Sequence, residues 1–174
     1  MSRVRTTSPS TASATISQLP VGPGAGAGLR RKLPVSASAL PQRAPGELLL
    51  LARSGLAEAA EIRADGMRYA TAHLAALRAA AAMLAARAIP APPGHRGRVT
   101  SAWSLLVLVA PDLGDWAAFF AAGASRRAAA EAGIPQVVTR READDLLRAV
   151  EQFIGVVSVA LGLSYQPMLE DLAS

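Results

Sequence analysis

Arg68 and His73 are the pair of side chains whose types and spacing suggest a reaction. A histidine titrates near neutrality and can act as general base or acid at a ribose 2′-hydroxyl, while an arginine's planar fork can steady the charge of a phosphorane. Together they have the composition of a metal-independent endoribonuclease. On one ideal helix, however, five residues turn through about 500°, which leaves the two side chains roughly 140° apart. The two would not converge within one chain. The competing reading is structural: His73 stands four residues from both Tyr69 and Leu77, at the edge of an apolar stripe, as a packed histidine beside an exposed Arg68.

A second cluster is basic. Arg126 and Arg127 near the end of one expected helix, and Arg140 and Arg141 at the start of the next, fall close together if a short connection joins antiparallel neighbours. The four could form a nucleic-acid-binding patch for phosphates. Against this, Arg126 and Arg127 suit the negative end of a helix dipole, and Glu131, Glu142, Asp144 and Asp145 are at hand to neutralise all four. Other chemistries lack their residues. There is no cysteine and there are two histidines, so thiolate metal sites, disulfides, a cysteine nucleophile and a histidine-rich metal cluster are excluded. No H-E-x-x-H, EF-hand or phosphate-binding loop occurs. The expectation is no metal and no cofactor.

The elements that would position these residues are helical. Apolar residues make up 51% of the chain but aromatics only 4%, so the core must be built from Ala, Leu and Val, which favours close-packed helices over sheets. A first helix is expected from Gly46 to Ile62, burying Leu48, Leu49, Ala52, Leu56, Ala59 and Ala60, and Asp65-Gly66 should break the chain after it. A second, from Met67 to about Ala88, repeats Leu74, Leu77, Ala81, Leu84 and Ala88 at bundle spacing. Pro90–Arg98 reads as an exposed basic loop containing His95 and two arginines. Thr100 or Ser101 caps a third helix that Pro111 stops. A fourth begins near Asp112 or Asp115 and ends at Gly133-Ile134-Pro135. A fifth opens with the capping box Thr139-Arg140-Arg141-Glu142 and runs through Leu146, Val150, Phe153, Val157 and Leu161 to Gly162. Trp103, Trp116, Phe119, Phe120 and Phe153 fall on core positions. The expected fold is all-α, an up-and-down bundle of four to five helices.

Charge divides along the chain. Residues 1–44 hold six basic side chains, among them Arg30, Arg31 and Lys32, and no acidic one, while the remainder has twelve basic and thirteen acidic. The basic stretch is rich in Ser, Pro, Gly and Ala without periodicity and is expected to be a disordered tail. Residues 45–164 form the expected domain and 165–174 a short C-terminal tail. The domain is near neutral, so the high pI by itself does not imply nucleic-acid binding. The apolar stretches Ala102–Ala110 and Phe153–Leu163 fall short of the roughly 20 residues of a membrane span. With no signal-peptide pattern near the N-terminus, the expectation is a cytoplasmic protein with no membrane partner.

Three segments carry a family likeness: R-Y-A-T-A-H-L-A-A-L-R from Arg68 to Arg78, W-A-A-F-F-A-A-G-A from Trp116 to Ala124, and T-R-R-E-A-D-D-L from Thr139 to Leu146. In order and spacing the chain resembles the SAV-type HEPN family of small actinobacterial proteins, from about Gly46 to Leu163. The resemblance implies a HEPN helical bundle and a homodimer. It also implies one of two activities. In HEPN ribonucleases an R-x(4-6)-H motif meets its copy across the dimer, which would give Arg68 and His73 catalytic roles of toxin type. Other members are non-catalytic and bind RNA, nucleotides or a protein partner such as a nucleotidyltransferase. Because the motif here sits on an early helix and Tyr69 follows the arginine, the non-catalytic binding module is the leading expectation. An association with an error-prone polymerase, and so with stress or DNA damage, is a further implication of the resemblance. A structural subunit of a larger complex is the third reading.

Overall fold

A computed structural model describes residues 34–35, 40–90 and 101–163. Among these the chain is all-α apart from one two-residue pairing, and it forms the up-and-down bundle expected from sequence. The helices are α1 (Pro45–Glu61), α2 (Asp65–Arg87), α3 (Ala102–Val109), α4 (Gly114–Ala122), α5 (Ala124–Glu131) and α6 (Arg140–Ala160), with a 3-10 turn at Pro111–Leu113. Pro45 starts α1, where a missing N–H costs nothing. Ser101 caps α3 by accepting from the Ser104 N–H at 3.1 Å. At α6 the capping box is complete: Thr139 Oγ1 accepts from the Glu142 N–H, and the Glu142 carboxylate accepts from the Thr139 N–H at 2.8 Å. The helix closes in a Schellman turn. Gly162, at φ +68°, reverses the chain so that the Leu163 N–H reaches the Ser158 carbonyl.

Helix α2 is the hub, packed against α1, α3, α5 and α6. It runs parallel to α6. Near the start of both helices Arg68 bonds to Asp144, and at their far ends Arg87 donates to the Ala160 carbonyl at 3.1 Å. Ala72, Ala75, Ala76, Ala79, Ala80 and Ala82 are all fully buried, and only such short side chains let α2 sit this close to its neighbours. By length and composition α2 could also cross a membrane, but most of it lies inside the bundle.

The structure corrects the expectations in four places. The core face of α2 is the alanine face with Tyr69, His73 and Met83; Leu74 is 38% exposed, and Leu77 and Ala81 are only partly buried. The alanines bring the central helix close to its partners, and Leu74 and Leu77 fall to its rim. Ala60 is exposed on α1. The break after α1 comes at Ile62–Ala64, and Asp65 and Gly66 already belong to α2. The expected fourth helix is two, α4 and α5, parted at Gly123. A Cβ at Gly123 would lie 2.6 Å from the Tyr69 hydroxyl and 3.5 Å from the His73 ring, so this turn must come close to α2 and must be bare.

Within the stretch expected to be disordered, Pro34–Val35 (β1) pairs in parallel with Ile89–Pro90 (β2), and Val35 is buried in the core. A short β-branched side chain with an extended backbone fills the gap where α2 ends. Arg30, Arg31 and Lys32, the basic loop residues His95, Arg96 and Arg98, and the C-terminal tail lie outside the described residues.

Candidate functional site

The third turn of α2 aims His73 inward at the meeting of α3, α4 and α5. Its side chain is 1% exposed. Trp103 and Phe120 meet the ring edge-on at centroid distances of 5.7 and 6.0 Å, and Tyr69 stacks at 6.4 Å. Nε2 lies 2.9 Å from the Phe120 carbonyl oxygen. A carbonyl only accepts, so Nε2 carries a proton. Nδ1 has no hydrogen-bond partner among the described residues. Burial pushes the His73 pKa below its ordinary value, the bond to Phe120 opposes this, and the Arg127 charge adds to the depression. Burial likewise raises the Tyr69 pKa, although the Arg126 charge pulls the other way.

Arg68, one turn earlier, leaves the helix in another direction. Its Nε donates to the Ile62 carbonyl at 2.7 Å and its Nη1 to Asp144 at 2.5 Å. With a side chain only 13% exposed, it ties the α1–α2 turn to α6. The two residues of the expected pair are therefore held by different helices, and the structure does not bring their functional ends together within one bundle. The helical-wheel argument from sequence gives the same separation.

The four arginines of the expected patch each face a carboxylate. Arg126 is 3.4 Å from Glu142, Arg127 3.5 Å from Glu131, Arg140 3.9 Å from Asp144 and Arg141 3.9 Å from Asp145. Arg148 shares Asp145. Arg126 approaches the start of α6 through Glu142, while Arg127 pairs along its own helix with Glu131. The Glu142 carboxylate is held below the usual range, first by the Thr139 N–H and then by the Thr139 hydroxyl and Arg126, despite some desolvation.

A cavity of about 390 Å³ opens instead where the α1–α2 turn meets the N-terminus of α6, lined by Arg63, Asp65, Arg68 and Arg140. Sequence reasoning missed Arg63 and Asp65 as partners of Arg140. No local pattern links residues this far apart, and only the parallel alignment of α2 and α6 unites them. The cavity offers three arginines and one aspartate, but no histidine. A lining of three arginines to one aspartate suits an anion. The Trp103, Phe120 and Phe153 rings form the core as expected, with Trp116 and Phe119 half-buried against it.

A family model described as SAV_6107-like HEPN matches residues 59–158, more than half the chain. The chain belongs to the SAV_6107-like HEPN family. The matched region starts near the end of α1 and ends inside α6, so it takes in Arg68, His73, the Gly123 turn and the capping box of α6. No curated protein and no solved structure gives a significant match.

Proposed function

We propose that this HEPN protein is a non-catalytic binding module that engages RNA or a nucleotide as a homodimer. The observation that carries the reading is the burial of His73, whose side chain is 1% exposed with Nε2 committed to the Phe120 carbonyl. A general base must come within hydrogen-bond reach of the proton it takes. Arg68 is similarly committed to Ile62 and Asp144, in a structural tie. The cavity beside it supplies three arginines and no histidine, a composition suited to holding phosphate.

A protein partner is a second reading, favoured by Val156 and Val159, exposed three residues apart in the last turns of α6. A nucleotidyltransferase or an error-prone polymerase component in the cytoplasm would be partners of that kind, with a role in stress or DNA damage.

The test is incubation of the full chain with structured and single-stranded RNA. Both are expected to remain intact. Fragments produced by the wild type, and absent with a folded His73→Gln variant, would overturn the proposal and restore the alternative of a toxin-type ribonuclease pairing Arg68 and His73 across a dimer. Recovery of one stoichiometric protein without RNA would favour a structural subunit.

A further inference from the structure

We infer that the cavity between the α1–α2 turn and the start of α6 is a phosphate site, taking a phosphate monoester about the size of a mononucleotide. The inference rests on the binding reading above and names its site and ligand chemistry. Arg63 is exposed and makes no ion pair among the described residues. Arg68 is locked in place by two of its nitrogens, leaving Nη2 with no bond among the described residues, so one guanidinium is already oriented without loss of side-chain entropy on binding. Arg140 is 80% exposed and stands 3.9 Å from Asp144, too far for a hydrogen bond, so it can turn toward a better acceptor.

Arg63, Arg68 and Arg140 face Asp65 and Asp144, which leaves the cavity positive. The parallel helices α2 and α6 both begin at this end, and each N-terminus adds a partial positive charge of roughly half a unit. Arginine forks match phosphate oxygens in pairs, and such charged bonds are about twice as strong as neutral ones. The volume of about 390 Å³ exceeds what a bare phosphate fills and lies at the small end of the range for organic ligands, roughly 300 to 1,000 Å³. Asp65, on the same wall, is the acceptor for a hydroxyl on the ester's organic portion.

The test is calorimetric titration of the full chain with adenosine monophosphate, inorganic phosphate and adenosine, repeated on an Arg63→Gln/Arg140→Gln double variant. Both substituted side chains are exposed, so an unchanged melting temperature is the check on folding. Saturable binding of adenosine monophosphate, weaker binding of phosphate and none of adenosine are expected, with the variant weakened at least about tenfold for the monophosphate. The site assignment is overturned if the monophosphate does not bind, if adenosine binds as well as its phosphate, or if the variant binds as tightly as the wild type. RNA retained equally and left uncut by wild type and variant would overturn this site while leaving the binding reading standing. RNA cleavage would remove that reading, and the titration would still decide the cavity.

Discussion

Replacing His73 with alanine separates a core histidine from a catalytic one. The substitution removes a ring enclosed by Tyr69, Trp103 and Phe120 and cancels the 2.9 Å bond to the Phe120 carbonyl. That carbonyl still accepts from the Gly123 N–H at 3.1 Å, so no acceptor is orphaned and the lost bond is worth about 1 kcal/mol. The vacated volume dominates. Truncating a large ring in a packed core costs about 3–5 kcal/mol, and for the smaller imidazole with its bond we expect a total of about 3 kcal/mol. For a domain of this size that is a fall of roughly 10–15 °C in melting temperature. Urea denaturation followed by circular dichroism measures it. A loss below about 1 kcal/mol, the scale of a surface change, would refute the placement of the ring and reopen a functional role for it.

Other expectations can be checked on the same footing. Gly123→Ala puts a methyl group 2.6 Å from the Tyr69 hydroxyl, and Tyr69 is only 4% exposed and cannot retreat, so destabilisation of about 1–3 kcal/mol is expected in thermal melts. An unchanged midpoint would show that α4 and α5 can part from α2 freely. Thr139→Ala removes the reciprocal cap of α6 and should cost about 1 kcal/mol. The same loss in a Glu142→Ala/Thr139→Ala double variant as in Thr139→Ala alone is the signature of a shared motif. Folding lowers the His73 pKa below its ordinary value of 6.5, so the unfolded chain takes up a proton that the folded chain resists. Stability from this residue is full above that pH and is lost as the pH falls through and below it. Denaturation midpoints measured down the acid limb should fall less steeply in a His73→Leu variant, and parallel slopes would contradict the shift.

The capping box at Thr139, a cap at Thr100 or Ser101 and the stop at Pro111 were all legible in sequence, because each depends on residues within about one turn of one another. The position of His73 at the edge of the apolar stripe was legible for a similar reason, since periodicity alone brings it beside Tyr69. The true core face of α2 was not. A stripe of leucines looks like a seam, yet the helix at the centre of a bundle buries its smallest residues, and nothing within α2 says that it is central. The division at Gly123 was hidden for a related reason. Its cause is the Tyr69 hydroxyl and the His73 ring on another helix.

The sequence by itself determined the all-helical class, the ends of most helices and the separation of Arg68 from His73, since these follow from local hydrogen bonding, from alanine's helix propensity and from the pitch of a helix. Tertiary structure alone decided that α2 and α6 run parallel. That alignment draws Arg63, Asp65, Arg68 and Arg140 around one cavity and leaves His73 sealed in the core. Such groupings depend on how whole helices pack, through contacts between residues far apart in the chain, and no local spacing encodes them.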